Sequence, residues 1–253
     1  MNDTLSSPSP DDAQAWRAAL DALRTALRAA GADPVAPSDH AGPLPHGRER
    51  SVVVMPWNLS NVLAQSGLPG GLRTPEPLRT TLAERGIDAT VEASRTPAAL
   101  LITPATPCDA RRFAALVTAG LTDAQAAAQR LRTAAARAGA VLPALHVPAD
   151  WPGVVDPGPV PPDAAAALLT ALTGTTTPVP QDTAAGGCLA AQLRHAVQDA
   201  IREIRPAPHP CPTGPAGTRH GAGHVVLGPL TPEQADALTA RLTNGPTLRS
   251  DTP

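Results

Sequence analysis

The chain has 253 residues, a formal charge of −2 and 42% hydrophobic side chains, which argues against wholesale disorder, a state that needs low hydrophobicity and high net charge. All 20 basic residues are arginine, tyrosine is absent and Phe113 is the single phenylalanine. These absences exclude Schiff-base and phosphate-loop lysine chemistry and phenolic acid–base catalysis, and with near-neutral charge they speak against nucleic acid as a partner.

The abundant residues, Ala, Pro, Gly and Arg, are those of GC-rich codons, so an Ala-rich or Arg-rich stretch carries little functional information here. The length exceeds the ~100–200 residues usual for one domain. Cys108, Cys188 and Cys211 are few, odd in number and far apart, which does not suggest a disulfide framework. Residues 1–12 have neither the basic segment nor the apolar run of a signal peptide. No stretch approaches the ~18 apolar residues of a membrane span. A soluble, cytoplasmic protein without membrane association is the expectation.

Residues 1–12 read as a tail. Trp16, Leu20, Leu23 and Leu27 recur at helical spacing, and Gly31 ends that helix. Residues 32–50 read as a long loop. Ser51 to Met55 follows as a strand, with Pro56 opening a short helix around Leu59. Leu78 and Leu82 mark a helix ended by Gly86. Ile87 to Ala93 alternates in the manner of a strand, and Ala98 to Ile102 pairs with it. Thr106-Pro107 then supplies an N-cap and a first-turn proline for a helix carrying Ala110, Phe113 and Val117 on one face. Ala124, Ala127, Leu131, Ala134 and Ala138 give the next helix, stopped by Gly139. Val141 to Val147 and Val154-Val155 read as a second strand pair. Pro161-Pro162 opens a helix bearing Ala165, Leu168 and Leu172. Residues 175–187 read as a loop, with Gly186-Gly187 as a turn able to present amides to an anion. Leu189, Leu193, Val197, Ile201 and Ile204 form the strongest helix, stopped by Pro206. Residues 206–223 are a further loop. His224 to Leu227 is a strand, and Thr231-Pro232 opens a last helix with Ala235, Leu238 and Leu242. Residues 246–253 read as a tail.

One motif recurs without gaps at Thr103–Val117, Gly158–Leu172 and Gly228–Leu242. It reads [GT]-P-[AVL]-[TP]-P-x-x-A-x-x-[FL]-x-x-x-[VL]. Acidic residues fall in the first helical turn each time (Asp109, Asp163 and Glu233), matching the positive helix end, and a glycine follows (Gly120, Gly174 and Gly245). The expected fold is therefore α+β. It consists of about four tandem helix–strand–strand–helix units, at 13–67, 75–120, 122–174 and 186–245, with antiparallel strand pairs covered by Ala/Leu-rich helices. One repeat-built domain over 13–245 is the leading arrangement, and two halves of two units are the alternative.

The repeated residues look structural, so function is sought in the loops between them. Six of the seven histidines (His40, His46, His146, His209, His220 and His224) fall between a unit's first helix and its motif; only His195 lies on a helix. His146, Asp150, Trp151 and Asp156 make one candidate loop face. Imidazole beside two carboxylates also suits acid–base or metal chemistry. His209, Cys211, His220 and His224 (H-x-C-x8-H-x3-H) offer four nitrogen or sulfur ligands of the kind that surround zinc. That spacing matches no established zinc signature, and no cofactor is otherwise expected. Arg111, Arg112, Arg130, Arg132 and Arg137 read as a solvated helix face. Cys108 and Cys188, near helix starts, read as small buried residues. No nucleophile-elbow G-x-S-x-G is present. The leading expectation is a non-catalytic binding or scaffold protein that meets another protein through its loop face. The alternative is a metal-binding protein or metal-dependent enzyme using the 209–224 loop.

Overall fold

The computed structural model describes residues 10–32, 50–94, 99–148, 150–179, 183–202 and 224–245. Those residues form eight helices and small antiparallel sheets. The chain divides into two compact units, 1–121 and 122–253, and the break falls between the second and third of the units read from the sequence.

The first unit begins with α1 (Pro10–Ala29), which starts inside the stretch expected to be a tail. Its buried face carries Leu20, Leu23 and Leu27. Trp16 is buried beside them, and the Arg50 guanidinium lies over its ring, 4.6 Å from the centroid. β1 (Val52–Val54) is buried on both faces, so its three valines face the core whichever way they point. α2 (Pro56–Gln65) and α3 (Pro75–Glu84) each open on proline. β2 (Ala89–Ala93) and β3 (Leu100–Pro104) follow, and the sheet order is β1-β3-β2, all antiparallel. Ile102 stands opposite both Val52 and Val91. Ser51 and Thr103 join β1 to β3 through a 2.7 Å hydroxyl pair.

α4 (Pro107–Ala119) closes the unit and packs along α1. Thr106 caps it, accepting from the Asp109 amide at 3.1 Å. The expected face is the one buried: Ala110, Phe113 and Val117 are inside, and Phe113 is fully enclosed. Gly120 ends the helix as its C-cap, with an ordinary φ of −93°. Its reason is space, because an added Cβ would run into the Val62 carbonyl of α2.

The second unit has its own core of Ala, Leu and Val. α5 (Asp123–Arg137) starts in a capping box, in which Thr122 accepts from the Gln125 amide and the Gln125 side chain accepts from the Thr122 amide. The expected strand at 141–147 is reduced to a single antiparallel bridge, His146 with Asp156. Pro143 and Pro148 flank it, and proline cannot donate to a ladder. Val155 pairs with Leu230 through two 2.8 Å bonds, and β4 (Pro159–Val160) pairs with β5 (Val225–Val226). Pro159 has no N–H for its partner, and the Val226 carbonyl takes a bond from Arg194 Nε at 3.2 Å.

α6 (Pro162–Thr173) buries Ala165, Leu168 and Leu172 and ends at Gly174, which is left-handed at φ 72°. α7 (Thr183–Ile201) begins earlier than the periodicity suggested. Gly186 and Gly187 lie inside it, not in a turn before it, so their amides are not free at a helix N-terminus. α8 (Pro232–Asn244) repeats the capping box with Thr231 and Gln234. α5 and α8 pack together, and Arg130 of α5 makes a bidentate pair with Asp236 of α8, both bonds 2.8 Å. The expected loop at 206–223 and the tail at 246–253 lie outside the described residues.

Candidate functional site

Residues 146–156 of the second unit form a loop closed at its base. His146 and Asp156 exchange two backbone hydrogen bonds, of 3.0 and 2.9 Å. Two turns stiffen the span between: the Trp151 amide donates to the Pro148 carbonyl at 3.1 Å, and the Val154 amide to the Trp151 carbonyl at 3.2 Å. Pro148 and Pro152 restrict φ on either side of the tryptophan. The base is anchored to the core by buried Leu145, Val154 and Val155. The exposed described residues of this span are His146, Asp150, Trp151, Pro152 and Gly153.

The side chains at the base are engaged by backbone. His146 Nδ1 donates to the Ala144 carbonyl at 2.8 Å, which leaves Nε2 as the acceptor of the neutral ring. Asp156 Oδ1 accepts from the Gly158 amide at 2.9 Å, an Asx-type turn. That turn explains Gly158: its φ is +64°, and a Cβ there would meet the Ala144 Cβ at 2.5 Å. Asp150 is exposed. Trp151 is 38% exposed, whereas Trp16 and Phe113 are buried. Beneath the loop, the Arg132 guanidinium donates to the Leu145 carbonyl at 2.6 Å and to Gln129 at 3.0 Å.

The structure thus brings His146 and Asp156 together as backbone partners and displays Asp150 and Trp151 on the loop they close. Among the described residues, no group of three or more His, Cys, Asp or Glu is arranged to hold a metal ion. The pairing of His146 with two carboxylates as a metal set therefore has no geometric support. Of the proposed zinc ligands, His209, Cys211 and His220 lie outside the described residues, and His224 stands immediately before β5. His40 and His46 also lie outside them.

Three of the five arginines of the expected solvated face, Arg112, Arg130 and Arg132, have acceptors within the protein. Arg112 donates to the Gly86 carbonyl at 2.9 Å, and Arg130 and Arg132 are engaged as described. Burial was the wrong expectation for Cys108 and Cys188, which are both exposed free thiols. Each precedes or follows an inward apolar position by one residue or more, and a helix turns that neighbour outward. An open groove of 220 Å³ lies between α5 and α8, lined by Gln129, Arg130, Thr133, Ala134, Arg137, Thr239 and Thr243. Its threonine hydroxyls each bond the carbonyl four residues back in their own helix, and Asp236 neutralises Arg130. Among the described residues no helix is long and apolar enough to cross a membrane.

No protein-family model matches the chain, and no curated protein or solved structure matches it.

Proposed function

We propose that this chain is a non-catalytic binding protein that engages another protein through the loop face at 146–156. The observation that carries this reading is the closed loop itself, which presents Trp151 and Asp150 to solvent from a base fixed by the His146–Asp156 bonds. A tryptophan side chain has few rotatable bonds and so gives up little conformational entropy when a partner covers it. Tryptophan is also among the residues that dominate interface energetics.

The scaffold reading rests on the four helix-opening prolines. Pro56, Pro107, Pro162 and Pro232 each start a helix that follows a strand or bridge. On this reading the first unit joins α1-β1-α2 to α3-β2-β3-α4. The second joins α5-bridge-β4-α6 to α7-β5-bridge-α8, so extended segments lie between the helices in every half. The hairpin of the first unit closes with the Ser94 amide bonded to the Ala99 carbonyl at 2.9 Å. Its counterpart in the second unit closes from His146 to Asp156 and is longer. Insertions of this kind in repeat proteins collect on a binding face.

The test replaces residues 148–153 of the full chain by a short glycine–serine connection, which leaves buried Val154 and Val155 and the Val155–Leu230 bonds in place. The expected result is loss of a protein that co-purifies with the tagged wild-type chain, with unchanged helical circular dichroism. Retention of the same protein at unchanged affinity would show that the loop is not the contact.

A further inference from the structure

We infer that β2 pairs with β2 of a second copy of this chain, antiparallel and centred on Val91, so that two three-stranded sheets join into one of six strands. The inference is independent of the loop-face reading, because β2 belongs to the first unit. The ladder fixes which backbone groups of β2 face β3. The Ser94 amide donates to the Ala99 carbonyl and the Ala105 amide to the Asp88 carbonyl, both at 2.9 Å. Residues 88 and 94 therefore face β3, and alternation places Thr90 and Glu92 with them. The N–H and C=O groups of Ala89, Val91 and Ala93 point the other way, off the open edge of the order β1-β3-β2. Among the described residues no hydrogen bond reaches those outward groups.

The edge lacks the usual guards against pairing. None of the 31 prolines falls within Ala89–Ala93, so every outward amide can donate. The register with β3 is unbroken from Ala89 opposite Pro104 to Ala93 opposite Leu100, so no bulge twists the strand away. Thr90, Glu92 and Ala93 are exposed. Ala89 and Val91 turn their side chains into the core, and what they offer a second copy is backbone. The strand also suits a copy of itself. With Val91 on a two-fold axis, Ala89 stands opposite Ala93 of the second copy and Ala93 opposite its Ala89, so all the outward groups find partners and only small side chains meet at the ends of the junction. Thr90 then stands opposite Glu92 of the second copy in the closer type of antiparallel pair, ~4.5 Å between Cα atoms, where a hydroxyl can donate to a carboxylate. Moving the axis to Glu92 would set like charge against like charge.

Sedimentation velocity of the full chain tests this. The expected result is a reversible change from 25.7 kDa to twice that mass, with a Kd of ~10–100 µM as suits a small edge contact. Amide exchange of the isotope-labelled chain by NMR should show Ala89, Val91 and Ala93 protected only in the concentrated sample, and Thr90 and Glu92 protected at every concentration. Thr90→Glu sets a carboxylate opposite each Glu92 of the dimer and should raise Kd about tenfold at low ionic strength, less above ~0.1 M salt. The swap of Thr90→Glu with Glu92→Thr puts a hydroxyl opposite each carboxylate again and should recover the wild-type Kd, which a merely structural role for Thr90 would not do. Helical circular dichroism should be unchanged in both variants; if either unfolds, the alternating exchange pattern of the wild type decides. A chain that keeps a mass of 25.7 kDa at ~500 µM would overturn the inference. So would a dimer indifferent to Thr90→Glu, or outward amides that are protected already in the dilute sample or stay unprotected in the dimer.

Discussion

Replacing Asp109 by alanine should cost the first unit about 2–4 kcal/mol of stability. Asp109 is buried at the start of α4, where its Oδ2 accepts from the Thr106 hydroxyl at 2.6 Å and its Oδ1 from the Asp88 amide at 3.3 Å. A short hydrogen bond to an ionised group contributes ~1.5–3 kcal/mol, and the longer Asp88 contact adds a few tenths. Loss of a first-turn carboxylate removes a further ~0.3–1 kcal/mol of helix-end attraction. Alanine's better helix propensity returns ~0.5 kcal/mol. The sum is about 2–4 kcal/mol. Urea unfolding of the variant should show a lower midpoint at unchanged slope, since the exposed area does not change.

The same residue carries a pH signature. The Thr106 hydroxyl holds the Asp109 carboxyl below its ordinary value against the opposing effect of burial, and the Asp88 amide and Arg112 act in the same direction as Thr106. A carboxyl with a lowered folded pKa contributes stability that is complete above its unfolded value, ~3.9, and is lost as pH falls through the folded value. The wild type should therefore lose stability in acid more steeply than Asp109→Asn. A loss under ~0.5 kcal/mol for Asp109→Ala, or identical acid profiles for wild type and Asp109→Asn, would refute the assigned network.

Three further outcomes are expected. Gly120→Ala drives a methyl into the Val62 carbonyl and should destabilise by ~1–3 kcal/mol, the range for overpacking, read from the urea midpoint. Thr231→Ala removes a cap that accepts from the Gln234 amide at 3.2 Å and should cost ~1 kcal/mol, seen as a lower thermal midpoint. Elemental analysis of the purified full chain should find no stoichiometric zinc. One zinc per chain, lost on joint substitution of His209, Cys211, His220 and His224, would instead establish the metal-binding alternative.

Much of the local structure is legible in the sequence because short-range chemistry decides it. Thr106 and Thr231 cap helices as their hydroxyls and following prolines predict, and Pro161 opens α6 without a side-chain bond. The apolar i, i+3 and i+7 positions of those helices are buried. What the sequence hides depends on partners far along the chain. Val141 to Val147 has strand composition, yet only His146 finds a ladder partner, because prolines flank it. Gly120 ends α4 as its place after the motif predicts, but its close approach to the Val62 carbonyl of α2 is revealed by no local pattern. Gly186 and Gly187 read as a turn, but α7 runs through them at a cost of ~1 kcal/mol each relative to alanine. At the candidate site, the sequence places His146, Asp150, Trp151 and Asp156 in a loop. The backbone bonds between His146 and Asp156 that close their loop could not be read from spacing.

The central claim is that the 146–156 loop is the contact surface, and amide hydrogen exchange of the full chain, free and bound to its purified partner, tests it most directly. The account predicts that partner-dependent protection centres on the amides from Asp150 to Val154. Protection confined to the α5–α8 groove or to the 203–223 segment, with none in this loop, would contradict it.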